Sequence, residues 1–433
     1  MAKKSVLVIG GGIAGIQSSL DLANMGFQVY LVEKTPSIGG RMSQLDKTFP
    51  TNDCSMCILA PKMIEASRHP NIRLLTYSEV EEVAGDSGKF KVKIRKKARF
   101  VDEEKCTGCG VCVTKCPWKV DSEFDLGLSK RKAIYTPFAQ AVPNIPVIDT
   151  EHCVYFLKGT CRACEKFCEA GAINYDQEDE IIEAEVDAII LASGFDLYDP
   201  SGLEEYGYGK IKNVITAMQY ERMISASGPT GGQLERPSDG ATPNRLAFIQ
   251  CVGSRDTHHK LYCSTVCCMH ATKEAILANE HYPDLEAFIF YTDMRAVGKR
   301  FQEYIARAEQ QYKVTYIRSR PSKITENPDT GNPIVWYEET TTRTRTSMEV
   351  DMVVLCQALI PSGSMKDMSC MLHLSLNDYQ FVHIPDRLFH PVDTEIPGLF
   401  ACGFCQAPQD IPDSVVQASA AAARAAEFVS KDE

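Results

Sequence analysis

A chain of 433 residues has room for several domains with full cores, and 28 Gly with 22 Pro is near average, which excludes collagen-like or low-complexity composition. With 46 Lys and Arg against 57 Asp and Glu, the formal net charge of −11 argues against nucleic-acid binding through a positive field. The 18 Cys are the informative number: with no signal-peptide core and no apolar run long enough for a direct membrane span, they point to cytoplasmic metal or redox chemistry rather than disulfides.

The apolar run 5–9 reads as a buried parallel strand, and Gly10-Gly11-Gly12-Ile13-Ala14-Gly15 follows at once with the pattern G-x-G-x-x-G. A helix is predicted over 13–25 and a strand over 29–32, ending in Glu33, 23 residues after Gly10. In that order the glycines let the backbone approach a pyrophosphate, the helix N-terminus stabilises its charge, and the acid meets a ribose hydroxyl. Gly10, Gly12, Ile13, Ala14, Gly15 and Glu33 are therefore cofactor-binding candidates. Glu33-Lys34 followed by Gly39-Gly40-Arg41 resembles the E-x5-G-G-R extension of glutathione-reductase-like flavoproteins, which favours one FAD and adds Lys34, Gly40 and Arg41. Residues 188–194, closing on Ser193-Gly194, resemble a later strand of those proteins. Residues 397–403 resemble their last flavin strand, reaching Gly403 and then Phe404-Cys405 in place of the usual Gly-Asp. Asp413 and Ser414 stand where an Ala-rich helix over 414–429 is predicted to begin, its N-terminus towards the flavin O2 region.

Lys alternates with Phe90, Val92 and Ile94 in a half-exposed strand, and the same domain resumes at 183–194. Between them, Cys106-x2-Cys109-x2-Cys112-x3-Cys116-Pro117 has the spacing of bacterial ferredoxins. Cys153-x7-Cys161-x2-Cys164-x3-Cys168 repeats it with a widened first gap. In two-cluster ferredoxins the last Cys of each run ligates the other cluster. Cys106, Cys109, Cys112 and Cys168 are accordingly assigned to one [4Fe–4S] cluster, and Cys153, Cys161, Cys164 and Cys116 to a second. Structural zinc would favour two spaced pairs.

A second βαβ unit is predicted from strands at 245–249 and 287–291 with a helix from about 265 to 280 between them. Its first loop, Gln250-Cys251-Val252-Gly253-Ser254, lacks the Gly-rich fingerprint of an NAD(P) site, and Cys263, Cys267 and Cys268 lie at the helix start. Cys251, Cys263, Cys267 and Cys268 read as ligands of a third [4Fe–4S] cluster, an anionic group suited to a helix N-terminus. Buried apolar thiols and a catalytic disulfide are the alternatives. Cys54 and Cys57 stay open between cluster ligands, a redox dithiol and packing. Cys356 and Cys370 are expected in the core, Cys402 and Cys405 in packing beside the flavin strand, and His258-His259 on a loop surface.

Residues 49–62, Phe-Pro-Thr-Asn-Asp-Cys-Ser-Met-Cys-Ile-Leu-Ala-Pro-Lys, resemble HdrA, the flavin-bearing component of heterodisulfide reductase. So do residues 225–232, Cys251-Val252-Gly253-Ser254-Arg255-Asp256, residues 262–268 and Asp410-Ile411-Pro412-Asp413-Ser414. The related component of quinone-modifying oxidoreductase shares the flavin and Y-C-S-x-x-C-C parts but fits residues 54–59 less well. The resemblance implies an oxidoreductase subunit in a cytoplasmic, multi-subunit complex that admits a dimer. Its partners would be HdrB-like and HdrC-like iron–sulfur subunits, and ferredoxin or a hydrogenase or dehydrogenase component for electron input. It supports the third cluster and points to Lys273 as a flavin N5 neighbour, with Glu221 a weaker candidate; the plain alternative for both is a solvated or salt-bridged helix charge. Relative to longer members, the chain is expected to lack an extra N-terminal domain and a C-terminal ferredoxin module.

The expected fold is α/β, with two dinucleotide-binding domains and an inserted two-cluster ferredoxin domain. The expected division is 1–97 with 180–240, the insert 98–179, a cluster-bearing second domain 241–360, and a return to the first at 361–433. The leading function is flavin-based electron bifurcation between a two-electron donor, ferredoxin and a disulfide-type acceptor. A linear relay of the quinone-modifying type and a cluster scaffold with a structural flavin are its rivals. A stand-alone NAD(P)H:disulfide reductase is disfavoured by the missing second fingerprint.

Overall fold

The computed structural model describes residues 4–431. The chain forms two compact units, one of Met1–Ser43, Met56–Phe195 and Pro361–Glu433, the other of Gln44–Ser55 and Asp196–Ile360.

The first unit is built on a five-stranded parallel sheet in the order Leu399–Ala401, Ala188–Leu191, Ser5–Ile9, Gln28–Glu33, Ile72–Thr76. Its strands are near-continuous apolar runs because both faces are covered. One face packs on helices Ile13–Asn24 and Ile411–Ser430, where Ala418, Ala421, Ala422 and Ala425 are fully buried and their small side chains let the helices lie close. The other face packs on Phe90, Val92 and Ile94 of an antiparallel three-stranded sheet, which has Lys89–Lys96 at its centre. Each Val, Leu or Ile buried in these layers contributes about 1.5–3 kcal/mol.

The cysteine-rich insert carries a small core of its own, with Val101, Ile134, Ile148, Ala172 and Tyr175 around Cys112 and Cys164. Fully buried Arg99 ties it to the rest of the unit, donating from Nη2 to Pro36 O at 2.8 Å and to Thr76 Oγ1 at 2.5 Å.

The second unit has its own parallel sheet, in the order Val214–Thr216, Met352–Gln357, Arg245–Val252, Glu286–Tyr291, Thr315–Arg318, and an antiparallel sheet of Lys323–Glu326, Pro333–Glu339 and Thr344–Glu349. Residues 196–240 lie here rather than with the flavin domain, because Val214–Thr216 pairs in parallel with Val353–Leu355 and helix Ala217–Ile224 packs behind that pair. The expected boundary at 240 therefore moves to about 196, and the short segment Gln44–Ser55 joins this unit as well.

Two helix starts also differ from expectation. The Ala-rich helix begins at Ile411, three residues early, because Asp410 caps it by accepting from Asp413 N and Pro412 sits in its first turn. The helix after the second strand begins at Cys267, two residues late, because Thr265 has a φ of +67° and cannot be helical. Among the described residues, no helix is long and apolar enough to cross a membrane.

Candidate redox site

The G-x-G-x-x-G turn has the shape of an anion cradle. Helix Ile13–Asn24 has Gly12 as its N-cap and no side-chain cap, which leaves the first-turn N–H groups of Ile13, Ala14 and Gly15 for a ligand. Gly10 has a φ of +111°, and a Cβ there would meet Ala192 O at 2.3 Å; a Cβ on Gly15 would meet Gly10 O at 1.7 Å. Gly40, with a φ of +55°, brings its backbone against Gly12, where a Cβ would stand 2.8 Å from Gly12 Cα. Glu33 is buried, accepting from Gly11 N at 2.7 Å through Oε2 and from Thr35 N and Oγ1 at 2.8 Å through Oε1. Oε2 keeps a lone pair for a ribose hydroxyl.

Ser193 Oγ is buried beside the Cys405 thiol. Gly403, with a φ of +75°, packs on Ala14 and Ser414, and its N–H donates to Gln417 Oε1 at 3.0 Å. These features fit FAD. Lys34 is exposed and Arg41 half-buried. Asp413 and Ser414 lie inside the first helical turn rather than at its cap, with Asp413 N already spent on Asp410.

Gly15→Ala is expected to weaken FAD binding about 5- to 150-fold, since an overpacked turn costs about 1–3 kcal/mol. The flavin-to-protein ratio measures this, with iron content unchanged.

In the insert, helix Val111–Lys115 buries Cys112 and ends on Cys116; helix Ala163–Lys166 buries Cys164 in the same way. The widened gap has a physical origin. Cys153 caps an additional helix, Val154–Lys158, which closes on Gly159 in the left-handed region before Cys161 resumes the ferredoxin spacing. Burial pushes the Cys112 thiol up to about 12, and neighbouring Cys106, Cys164 and Cys168 push it further. Burial also raises Cys164, with Cys153 and Cys116 adding to it and the Tyr175 hydroxyl, 3.0 Å away, opposing. The last Cys of each run therefore stands beside the other run.

In the second unit a register shift between Ile249 and Val252 puts Cys251 at a φ of +60°, turned out of the strand. Cys263 Sγ accepts from Thr265 N at 3.3 Å. Cys267 and Cys268 open a helix whose N-cap, Val266, supplies no side-chain bond. Burial raises the Cys267 thiol well above its ordinary value, and Cys251, Cys268 and Cys263 raise it further. Four thiols whose ionised forms would repel one another suit iron, which neutralises the thiolates, and the uncapped helix start suits the anionic cluster that results. They also weigh against plain packing.

Of the remaining cysteines, Cys356, Cys402 and Cys405 are buried as expected. Cys370 is exposed on the short helix Met365–Met371 and is not core. Cys54 and Cys57 are both exposed, which removes the packing reading for them.

Lys273 and Glu221 are neither solvated nor remote from one another. Both are buried and form a contact ion pair, Nζ to Oε1, with Lys273 Nζ also 3.1 Å from Lys47 O and Glu221 Oε2 accepting from Asp46 N at 2.9 Å. His270 Nε2 lies 2.6 Å from Glu221 Oε1 and 3.2 Å from Glu274 Oε1. Neither oxygen of fully buried Glu274 has a hydrogen bond. Burial raises the Glu274 carboxyl, with His270 and Lys273 opposing, and pulls the Lys273 ammonium down to about 8 against Glu274 and Asp46.

Comparison with known proteins agrees with the flavin turn and the first ferredoxin run. Residues 5–55 match the family of FAD dependent oxidoreductases, and residues 99–120 match the 4Fe-4S binding domain. An HdrA-type iron-sulfur subunit of CoB--CoM heterodisulfide reductase from Methanopyrus kandleri is 55% identical over 97% of this chain and 63% of its own length. The HdrA-type subunit of H(2):CoB-CoM heterodisulfide,ferredoxin reductase from Methanothermobacter marburgensis is 52% identical over the same shares. The chain is a homologue of the HdrA-type subunits of heterodisulfide reductase. It spans about 63% of the length of these relatives. Among solved structures, Lactococcus lactis thioredoxin reductase resembles it in fold, with a TM-score of 0.53 at 15% identity over 99% of this chain and 100% of that one.

Sequence reasoning on this HdrA homologue missed His270, Glu274 and Arg255. A signal for the first two was present: residues 270, 273 and 274 share one face of a helix at i, i+3 and i+4. Three ionisable groups on one face of a helix that proves almost wholly buried mark a polar cluster rather than a wetted surface.

Proposed function

We propose that this chain is the FAD and iron–sulfur electron-transfer subunit of a heterodisulfide-reductase-type complex, and that it divides electron pairs between a high-potential and a low-potential route. The observation that carries the reading is the second crevice. Four cysteines occupy the place where a two-dinucleotide flavoprotein keeps its nicotinamide loop, in a chain that also bears two ferredoxin runs.

Bound FAD would supply the exchange between two-electron and one-electron chemistry, and the clusters would supply one-electron conduction. The chain's own residues do the rest. Gly10, Gly12, Gly15 and Glu33 bind and orient the nucleotide end of the cofactor. Twelve cysteines hold three clusters, two in the insert and one at Cys251, Cys263, Cys267 and Cys268. Lys273 and Glu221 hold a proton and a positive charge for the redox centre inside a dry, buried network.

HdrB-like and HdrC-like iron–sulfur subunits and a ferredoxin-linked or hydrogenase-linked input are the partners this reading requires. The names of the relatives, one of them a heterodisulfide,ferredoxin reductase, support it.

Anaerobic purification with flavin and iron counts tests the assignment: one FAD and about 12 Fe per chain are expected for three cubanes, and about 8 Fe would remove the third site. A potentiometric titration tests the division of electrons. A single two-electron flavin transition supports it, whereas two well-separated one-electron steps would favour a linear relay.

A further inference from the structure

Residues 251–262 form a loop braced far beyond what four ligands need. Ser254 N donates to Cys251 O at 3.1 Å, Ser254 Oγ and Arg255 N both donate to Tyr262 O at 2.7 and 3.1 Å, and Tyr262 Oη donates to Leu359 O at 3.0 Å. Gly253, with a φ of +72°, takes the Tyr198 ring where a Cβ would stand 2.6 Å from it. The bracing fixes Arg255, itself at a φ of +54°.

Arg255 Nη2 donates to Asp293 Oδ2 at 2.5 Å, while Nη1 is buried and has no hydrogen-bond partner. A buried guanidinium N–H left over in a fully braced loop suits an anionic or sulfur acceptor, and the Arg255 side chain already reaches the Cys251 side chain. Its surroundings say which. Arg255 hydrogen-bonds the Cys251 side chain and lies close enough to Cys268 for its charge to act there. The Asp293 that holds the fork belongs to the loop that packs on Cys268, with Cys268 Sγ 3.8 Å from Asp293 O and 3.5 Å from Arg295 N. One side chain thus links the Cys251 loop to the Cys268 loop.

We propose that Arg255 is a positioning residue of the third cluster, offering its spare N–H to cluster sulfur and setting the cluster's reduction potential with a fixed positive charge. The inference rests on the three-cluster reading above. A cubane with four thiolates carries about −2 when oxidised and about −3 when reduced, so a fixed cation stabilises the reduced form more and raises the potential. Hydrogen bonds to sulfur act in the same direction.

The test is an anaerobic redox titration of the full chain, followed by electron paramagnetic resonance, for wild type, Arg255→Gln and Arg255→Lys, with iron counted in each. Arg255→Gln removes the charge, and the third cluster's midpoint is expected to move to a lower potential while the two ferredoxin-type midpoints stay in place. Arg255→Lys keeps the charge but cannot hold Asp293 and present a second N–H from one planar fork, so its midpoint should fall between the other two. An unmoved third midpoint in iron-replete Arg255→Gln overturns the proposal. If that variant sheds iron, Arg255→Lys decides in its place, and a midpoint equal to wild type overturns it. About 8 Fe in the wild type would instead remove the three-cluster reading itself, an outcome distinct from a failed shift.

Discussion

Cys168→Ala is expected to empty the cluster bounded by Cys106, Cys109 and Cys112, not the one that Cys161 and Cys164 help to hold. Iron should fall from about 12 to about 8 per chain. The paired variants carry the sharper result. Cys112→Ala with Cys168→Ala should lose no more iron than either alone, because both changes strike one cluster. Cys164→Ala with Cys168→Ala should lose about 8 Fe and leave about 4. Clusters held each within its own run would reverse the two outcomes. The expectation rests on placement: Cys106, Cys164 and Cys168 act on Cys112, while Cys153 and Cys116 act on Cys164, so the last Cys of each run lies near the other run. Without iron the buried Cys112 and Cys164 thiols are held in the protonated form, so metal binding must release protons, and its free energy is largely folding energy for the insert. The insert's own apolar core is small, and stacking such as Phe100 on Phe156 at 4.5 Å does not replace a lost cluster. Limited proteolysis should therefore cut the double-cluster variant within 98–179 first.

The parts of this molecule that were legible beforehand are those where chemistry is written in local spacing. The glycine turn, the strand ending in Glu33 and the ferredoxin runs each lie within a few tens of residues, and one physical reason demands each spacing. The parts that were not legible depend on contacts far apart in the chain. Val214–Thr216 could be placed in the second sheet only through its pairing with Val353–Leu355, well over a hundred residues on. Cys370 read as core because thiols usually are buried, yet its helix presents it to solvent. Thr265 delays a helix that apolar periodicity starts earlier, since its left-handed φ serves the turn that delivers Cys263 and Cys267. On helix Cys267–His281 only Lys273 was singled out, as a flavin neighbour or else a solvated or salt-bridged charge, and only the helix's burial on nearly every side turns His270, Lys273 and Glu274 into a polar cluster.

That cluster should dominate the stability of the second unit. Lys273→Met would leave Glu221 and Glu274, both fully buried, with His270 as their near counter-charge; breaking a buried pair in this way costs about 3–5 kcal/mol. Glu221→Gln should cost less, because Lys273 keeps the Lys47 carbonyl at 3.1 Å. The double variant removes opposite charges together, so its cost should fall short of the sum by at least about 2 kcal/mol. Urea unfolding at unchanged slope measures all three, and strict additivity would mean that the two side chains do not pair in solution. The acid at the centre of the cluster adds a pH signature. Burial raises the Glu274 carboxyl above its ordinary 4.5 in the folded chain, so above that value the unfolded chain releases a proton that the folded chain keeps. The stability that this proton brings is complete at low pH and is lost as pH rises through the raised value. As pH rises from the ordinary 4.5, the wild type should lose more stability than Glu274→Gln, whose amide keeps the shape and carries no proton to lose. The reverse order would mean that Glu274 is ionised in the folded chain, neutralised by Lys273 across the same cluster.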